Sequence, residues 1–455
     1  MSISAAVKKP DLRDQIARLE EQGELLRIRR EVDARHVSGL LAQARQALLF
    51  ERVRGFDLPL VGGLAATRRR LALSLGASEE DAARRFQQAV ERPIPPELVS
   101  SGPVQEVKLL GDAVDLTRLP IPFLSEKDGA PYISSGIVIA RDPEYGSNAG
   151  CYRLMYRTPR QTGIDLVSPT DLRSFYQRRL ARNEPLEIAV VIGAHAAEHV
   201  AASYRAPAGL DELALAGGLH GAPVPLVRCQ TVDLAVPADA EIVLEGEIPP
   251  IGWTADEGPF GDVTYLQCDL RWNPVFNVKA ITMRRDAIFH ATTMPLENIW
   301  LAALAVEASA RQALKVAGID VRGITGTPGG LGFWKLIAAI RKREGEGKNA
   351  VMALLPLSYV KWVVVTDDDI NIHDPDEVDW AITMRVQADR DVIVVPDARG
   401  KHLDPSVRAW ELPRGQLPTT AKLGIDATIP EGIPPSMYER LRPAFREQVQ
   451  LEDYL

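Results

Sequence analysis

Residues 256–262 read Asp-Glu-Gly-Pro-Phe-Gly-Asp, and no other stretch of the chain says as much about its architecture and chemistry. Two carboxylates, Glu257 and Asp262, are separated by Gly258, Pro259, Phe260 and Gly261. Glycine and proline at these positions predict a tight, shaped turn rather than a strand. Two acids facing one cavity can have their pKa values driven apart by burial and mutual repulsion, so that one donates a proton while the other stays ionised. The plainer interpretation of the same residues is a solvent-exposed turn, where Asp and Glu are common.

Outward from this turn, residues 105–296 alternate short β-rich stretches (136–140, 187–192, 241–248, 276–282) with Gly/Pro turns. That spacing predicts a β-barrel or sandwich core, with helices near 169–180 and 195–203. Before it, Asp11 caps a predicted helix whose apolar face is Leu12, Ile16 and Leu19, and a strand at 25–28 follows Gly23. Ser78 and Asp81 resemble a capping box for a helix through Val90, after which Pro93, Pro95 and Pro96 break the chain. After the core, 297–317 is a strongly amphipathic helix. Helix 333–343, strand 360–365, helix 376–387 and strand 391–395 then alternate, a pattern that predicts an α/β unit on a parallel sheet. The run EGEGK (344–348) predicts an exposed loop and 435–448 a terminal helix. At 455 residues the chain exceeds one compact core. The expectation is an α+β, multidomain protein: an α/β domain at 1–104, a β-barrel-like domain at 105–296, and a C-terminal α/β domain with linking helix and terminal arm at 297–455.

Composition narrows the function classes. The chain is 46% apolar and 25% charged, the balance of a soluble globular protein. A net charge of -8 provides no overall basic footprint for nucleic acid. Cys151, Cys229 and Cys268 form no CxxC pair, so neither a disulfide framework nor a cysteine zinc site is indicated. The first residues, MSISAAVKKPDLRDQ, contain no apolar signal region, and no apolar run approaches the roughly 18 residues of a membrane span. A cytoplasmic location is expected.

Other segments could carry chemistry. In SNAGCYR (147–153), Asn148 is a neutral oxygen donor and Arg153 offers a planar fork that matches a carboxylate. An ordinary surface arginine after a strand is the plainer alternative. HAAEH (195–199) matches the H-x-x-E-H pattern of zinc hydrolases, with His195 and His199 as ligands and Glu198 as base. A polar helix start just past a strand explains the same residues. Asp367, Asp368 and Asp369 could bind a cation but lack the glycine and terminal glutamate of an EF-hand, and more simply cap the following turn. GTPGGLG (326–332) has neither GxGxxG spacing after a strand nor a Walker lysine, and predicts a loop.

Taken in this order, SNAGCYR and DEGPFGD resemble the UbiD-like family of prenylated-FMN-dependent (de)carboxylases. AEIVLEGEI (240–248), VVVTDDDINIHDPDEVDWAI (363–382) and AKLGIDAT (421–428) are similar to other family segments, so the resemblance covers about 104–428. It implies a central split β-barrel flavin-binding domain, flanked by an N-terminal α/β domain and a C-terminal α/β oligomerisation domain. It also implies a homodimer or higher oligomer, and a flavin prenyltransferase as cofactor supplier. The implied catalytic trio is Arg153, Glu257 and Asp262. By this resemblance Arg153 orients the carboxylate of an aromatic or α,β-unsaturated acid, Glu257 protonates the carbon after CO₂ leaves, and Asp262 tunes Arg153, with proton relay as a further role open to it.

The family holds prenylated FMN through its phosphate with a divalent cation such as Mn²⁺, and K⁺ is a further ion to expect. Two of the metal ligands fall on Asn148 and Glu212. The third, a histidine in the family, falls on Asp171, with Thr170 beside it. This is a departure, although a carboxylate is an acceptable ligand for a hard cation. Flavin contacts fall on Gly150, Cys151, Ser203, Tyr204 and Arg205, and a phosphate-binding lysine on Lys422. The missing histidine keeps a non-catalytic flavin-binding protein open as an alternative, beside the zinc hydrolase.

Overall fold

The computed structural model describes residues 9–205, 210–357, 359–412, 416, 418–444, 446 and 448–455. The chain divides into two compact units. One contains residues 1–309 with 328–333 and 400–418; the other contains 310–327, 334–399 and 419–455.

In the first unit, helix Leu12–Glu21 begins at a true capping box, in which Asp11 and Asp14 each accept from the other's backbone N–H. Its buried face is Leu12, Gln15, Ile16 and Leu19. This face packs with Leu25, Ala47, Leu49, Val61 and Leu64 around a four-stranded sheet. The strands run in the order Leu25–Ile28, Ala47–Phe50, Leu60–Gly62, Phe289–Ala291. The last strand comes from far along the chain and pairs in parallel with Leu60–Gly62. Ser78 caps helix Glu79–Glu91 as its spacing predicts.

The centre of this unit is a nine-stranded sheet in which every neighbouring pair is antiparallel. Its path runs Tyr132–Ile133, Leu154–Thr158, Gln161–Gly163, Val275–Met283, Ile242–Ile248, Leu186–Ile192, Ile137–Asp142, Gly146–Cys151, with Val107–Leu110 added beside Val275–Met283. The sheet curls into a half-barrel whose two end strands remain unpaired to each other, which resolves the barrel-or-sandwich alternative. Alternate residues (Ile188, Val190 and Ile192 with Ile242 and Leu244) enter one core, as a two-residue side-chain period requires. Helices Asp171–Ala181, Ala196–Ser203 and Glu212–His220 belong to the same unit.

The second unit holds a five-stranded sheet in the order Val321–Gly326, Lys335–Ile340, Trp362–Asp367, Thr419–Ala427, Val392–Arg399. The three inner strands are parallel but both outer strands are antiparallel, so the sheet is mixed rather than parallel. Within residues 333–343, expected to be a helix, Lys335–Ile340 is a strand. Leu336 to Ile340 is a continuous apolar run buried on both faces, and such a run has no period by which strand and helix can be told apart. EGEGK is also not a loop, because Gly345 supplies a left-handed N-cap and helix Glu346–Leu354 starts immediately after it. In the expected terminal helix 435–448, only Pro435–Tyr438 is helical among the described residues, as a 3₁₀ turn. Asp367 and Asp369 are spent on the fully buried Arg385. Among the described residues, no helix is long and apolar enough to cross a membrane.

Candidate active site

The acidic segment is a turn between two short ladders. Ala255–Glu257 pairs with Arg271–Asn273, and Phe260–Gly261 pairs with Gln267–Cys268. Gly258 sits at φ +106°, a conformation that side chains disfavour. Residues 124–129 bind the turn from outside. Asp128 accepts from the backbone N–H groups of Leu124, Ser125 and Gly261, and the Gly129 N–H donates to the Pro259 carbonyl at 2.9 Å. A Cβ on Gly129 would lie 2.1 Å from the Gly258 carbonyl oxygen, so this approach requires glycine. The exposed-turn interpretation therefore fails: Glu257 is completely buried.

Arg153 lies just beyond strand Gly146–Cys151 and is buried rather than on the surface. Its Nε and Nη2 donate to the two oxygens of Glu257 at 3.0 and 2.8 Å. Its Nη1 donates to Asp262 Oδ2 at 2.6 Å. Phe260 lies under the guanidinium at 4.5 Å. The structure thus brings together all three residues that the resemblance marked as catalytic.

Further side chains complete the network, and none of them carries a recognisable spacing in the sequence. The Tyr132 hydroxyl donates to Glu257 Oε1 at 2.9 Å, and Asn273 Nδ2 donates to Glu257 Oε2 at 3.2 Å. Glu257 therefore accepts four hydrogen bonds. Asp262 accepts from its neighbour's backbone, Val263 N–H, at 2.6 Å, and from the Cys268 thiol at 3.5 Å. Burial and the Asp262 carboxylate push that thiol up to about 12. Asp165 approaches Arg153 Nη2 at 3.3 Å.

A second group gathers at Glu212, the first residue of helix Glu212–His220. Its carboxylate accepts from Asn148 Nδ2 at 3.1 Å and from the Ala149 N–H at 3.0 Å. Burial drives the Glu212 pKa up to about 7, against those hydrogen bonds. Asn148 Oδ1 is buried and has no hydrogen-bond partner. A carboxylate held in need of positive charge beside an orphaned amide oxygen fits a hard divalent cation. Asp171 is the exposed first residue of helix Asp171–Ala181, and Thr170 is spent on capping that helix through the Arg173 N–H.

The remaining cofactor candidates fall in two places. A Cβ on Gly150 would meet the Tyr152 ring at 2.7 Å. The Cys151 thiol and the Ser203 hydroxyl both donate to the His199 carbonyl, at 3.7 and 2.8 Å. Tyr204 stacks edge-on against Phe86 with ring centroids 5.3 Å apart, and Arg205 is exposed. Lys422 belongs to the second unit, where its ammonium donates to the carbonyls of Leu355 and Leu357 at 2.6 and 3.0 Å.

The HAAEH segment does not form the zinc site its pattern suggests. His195 is the N-cap of helix Ala196–Ser203, and its ring accepts from the Ala197 N–H. His199 turns to the carbonyls of Ser135 and His195 and faces His290. Glu198 instead meets His220 at 3.2 Å and the buried Lys9 ammonium at 2.7 Å, and Lys9 also pairs with Asp239 at 3.0 Å. His195, Glu198 and His220 do converge, but a protein cation already neutralises the carboxylate.

Comparison with known proteins places the chain in a family. The chain matches three domains described for 3-octaprenyl-4-hydroxybenzoate carboxy-lyase: the N-terminal domain over residues 16–90, the Rift-related domain over 97–297 and the C-terminal domain over 299–427. It is 37% identical over 390 residues to the anhydromevalonate phosphate decarboxylase of Methanothermobacter thermautotrophicus, covering 85% of this chain and 89% of that protein. The UbiD-class enzyme HmfF from Pelotomaculum thermopropionicum, solved in complex with FMN, superposes with a TM-score of 0.90 at 40% identity, over 98% of this chain and 100% of that one. An evolved dimeric form of HmfF in complex with prFMN superposes at 0.86 and 37% identity, with the same coverage. The apo 3,4-dihydroxybenzoic acid decarboxylase of Klebsiella pneumoniae superposes at 0.86 and 28% identity, over 95% of this chain and 96% of that one. The fold is that of a carboxy-lyase, an enzyme that removes a carboxylate as CO₂. The chain belongs to the UbiD family and is a UbiD-class decarboxylase.

Proposed function

We propose that the protein catalyses the reversible, non-oxidative decarboxylation of an aromatic or α,β-unsaturated carboxylic acid, with prenylated FMN as cofactor and a divalent cation such as Mn²⁺ at the cofactor's phosphate. The observation that carries this reading is the single buried guanidinium of Arg153 shared between Glu257 and Asp262. Loss of CO₂ leaves an electron pair on carbon, and side chains are poor acceptors for it; the bound flavin supplies that electron sink. Asn148 and Glu212 would hold the cation, with Asp171 as a third oxygen donor, and Gly150, Cys151, Ser203, Tyr204 and Arg205 would line the flavin.

The protein's part is orientation and proton delivery. Arg153 directs the substrate carboxylate through its planar fork. Glu257 supports Arg153 as a fixed anion. Its two oxygens accept four hydrogen bonds and face no acceptor, so every lone pair in reach is committed to holding Arg153, Tyr132 and Asn273 in place. Asp262 has fewer donors and a side chain 12% exposed, so it is the better carrier of a proton to the carbon that loses CO₂. The sequence alone favoured Glu257 for this step; the asymmetry of the two environments moves the role to Asp262. Residues Leu124, Tyr132 and Phe260, with Met155 and Met294 against them, form an apolar cluster at the network, in keeping with an aromatic or conjugated acid.

The test is coexpression with a flavin prenyltransferase, followed by a screen of aromatic and unsaturated acids for CO₂ release and for deuterium exchange at the reacting carbon. Turnover that disappears in Asp262→Asn supports the reading. A holoprotein inert towards every class of acid contradicts it.

A further inference from the structure

We propose that Asp165 is a positioning residue of this site: a third carboxylate that holds Arg153 and competes with the substrate carboxylate for it. The proposal rests on the reading of Arg153 as the group that orients the substrate.

Asp165 is tied to Arg153 twice. Its Oδ2 lies 3.3 Å from Arg153 Nη2, the nitrogen that also donates to Glu257. Its backbone N–H donates to the Arg153 carbonyl, also at 3.3 Å. The other carboxylate oxygen, Oδ1, accepts from the Val167 N–H at 3.1 Å and from Asn273 Nδ2 at 3.2 Å. Asn273 is fully buried, and its Nδ2 also donates to Glu257 at 3.2 Å while its Oδ1 accepts from the Leu166 N–H at 2.9 Å. One amide therefore fixes the spacing between Asp165 and Glu257 on one side of the guanidinium.

The charge count gives this arrangement a consequence. One guanidinium meets three carboxylates, Glu257, Asp262 and Asp165. A guanidinium released by Asp262, when that residue takes up a proton, still has an anion holding it in place. An incoming substrate carboxylate finds Nη2 already engaged, so substrate binding is weaker than Arg153 alone would allow.

Other charged groups face the cluster. Arg271 and Arg173 act on Asp165, and His402 lies in the field of both. Tyr132 and Cys268 stand on the Glu257 and Asp262 sides. The arginines stay charged throughout the working range. Burial, with the two arginines, lowers His402 and keeps it neutral, while burial with the neighbouring carboxylates raises the tyrosine and the thiol. Burial acts to raise Asp165, but Arg153 and Arg271 outweigh it and keep its carboxyl below the usual range. Asp165 is thus held as an anion beside Arg153.

The experiment compares Asp165→Asn and Asp165→Glu with wild type. Binding of benzoate, a simple aromatic carboxylate, to the FMN-loaded protein is titrated through the flavin absorption spectrum. Removing the charge of Asp165 is expected to tighten benzoate binding several-fold, and Asp165→Glu should restore most of the wild-type Kd. With any acid the screen identifies, KM in Asp165→Asn should fall several-fold while kcat changes less. An unchanged benzoate Kd, or a KM that rises together with a loss of thermal stability, overturns the proposal in favour of a merely structural role. The benzoate titration needs no turnover, so a failed substrate screen leaves this test intact.

Discussion

Arg153 and Glu257 meet fork to fork: Nε to Oε1 at 3.0 Å and Nη2 to Oε2 at 2.8 Å, with the carboxylate wholly buried. Two parallel charge-assisted hydrogen bonds fix the guanidinium plane and aim its remaining edge at Asp262. A lysine cannot reproduce that geometry. Arg153→Lys should retain flavin and lose about 10²-fold or more in kcat/KM, the size expected when a reacting group is misplaced by about 1 Å. Steady-state kinetics beside the flavin absorption spectrum would show it, and near-normal turnover would remove Arg153 from the orienting role.

Glu257→Gln and Asp262→Asn should fail in different ways. Asp262→Asn removes the proposed proton carrier, and a loss of about 10²–10⁴ in rate is expected, with deuterium exchange lost in parallel. Glu257→Gln places an NH₂ group against donors from Arg153, Tyr132 and Asn273. Breaking one partner of such a buried pair costs about 3–5 kcal/mol, so this variant should also show a clear fall in denaturation midpoint. Equal stability of the two variants would contradict the division of roles between them.

Removing the carboxylate of Glu212 should weaken cation and cofactor binding together. Glu212→Gln leaves Asn148 and Ala149 without their anionic acceptor. Retention of Mn²⁺ after dialysis, and FMN affinity measured with it, should each fall about tenfold or more. Unchanged metal content by elemental analysis would exclude Glu212 as a ligand.

Burial, and the neighbouring His220, hold His195 down to about 3. The unfolded chain binds a proton at this residue near pH 6.5, whereas the folded chain does so only near 3. The unfolded state therefore takes up more protons within that window, and stability falls as pH drops from about 6.5 towards 3, by up to about 1.4 kcal/mol per pH unit. His195→Asn keeps a side-chain acceptor for the helix cap and removes the titration. Its urea midpoint should depend less on pH between 6 and 4 than that of wild type, and parallel curves would rule His195 out as the source.

The buried Lys9 faces Glu198 and Asp239 at 2.7 and 3.0 Å. Lys9→Met leaves an uncompensated buried carboxylate and should destabilise the first unit by about 3–5 kcal/mol. Lys9→Met combined with Glu198→Gln should recover part of that loss in a denaturant titration. A single variant as stable as wild type would show that the pair adds nothing to folding.

Much of the architecture was legible because local rules wrote it. Asp11 and Ser78 cap their helices where spacing said they would, and four of the half-barrel strands carry their β signature in isolation. Residues 333–343 were misread because a strand buried on both faces displays no period. The HAAEH pattern misled for a related reason. Spacing put two imidazoles on one helix, whereas the fold made His195 a cap and delivered Lys9 and His220 to Glu198 from distant parts of the chain.

The sequence by itself determined that one arginine and two acids belong to a recognisable pair of motifs, because their order and spacing survive in one dimension. How many donors reach each acid, and how deeply each is buried, was decided only by tertiary structure. That asymmetry depends on Tyr132, Asn273 and Asp165, which reach Arg153 and Glu257 from other strands and loops. Burial and donor count are properties of a packed neighbourhood, and no spacing along the chain encodes them.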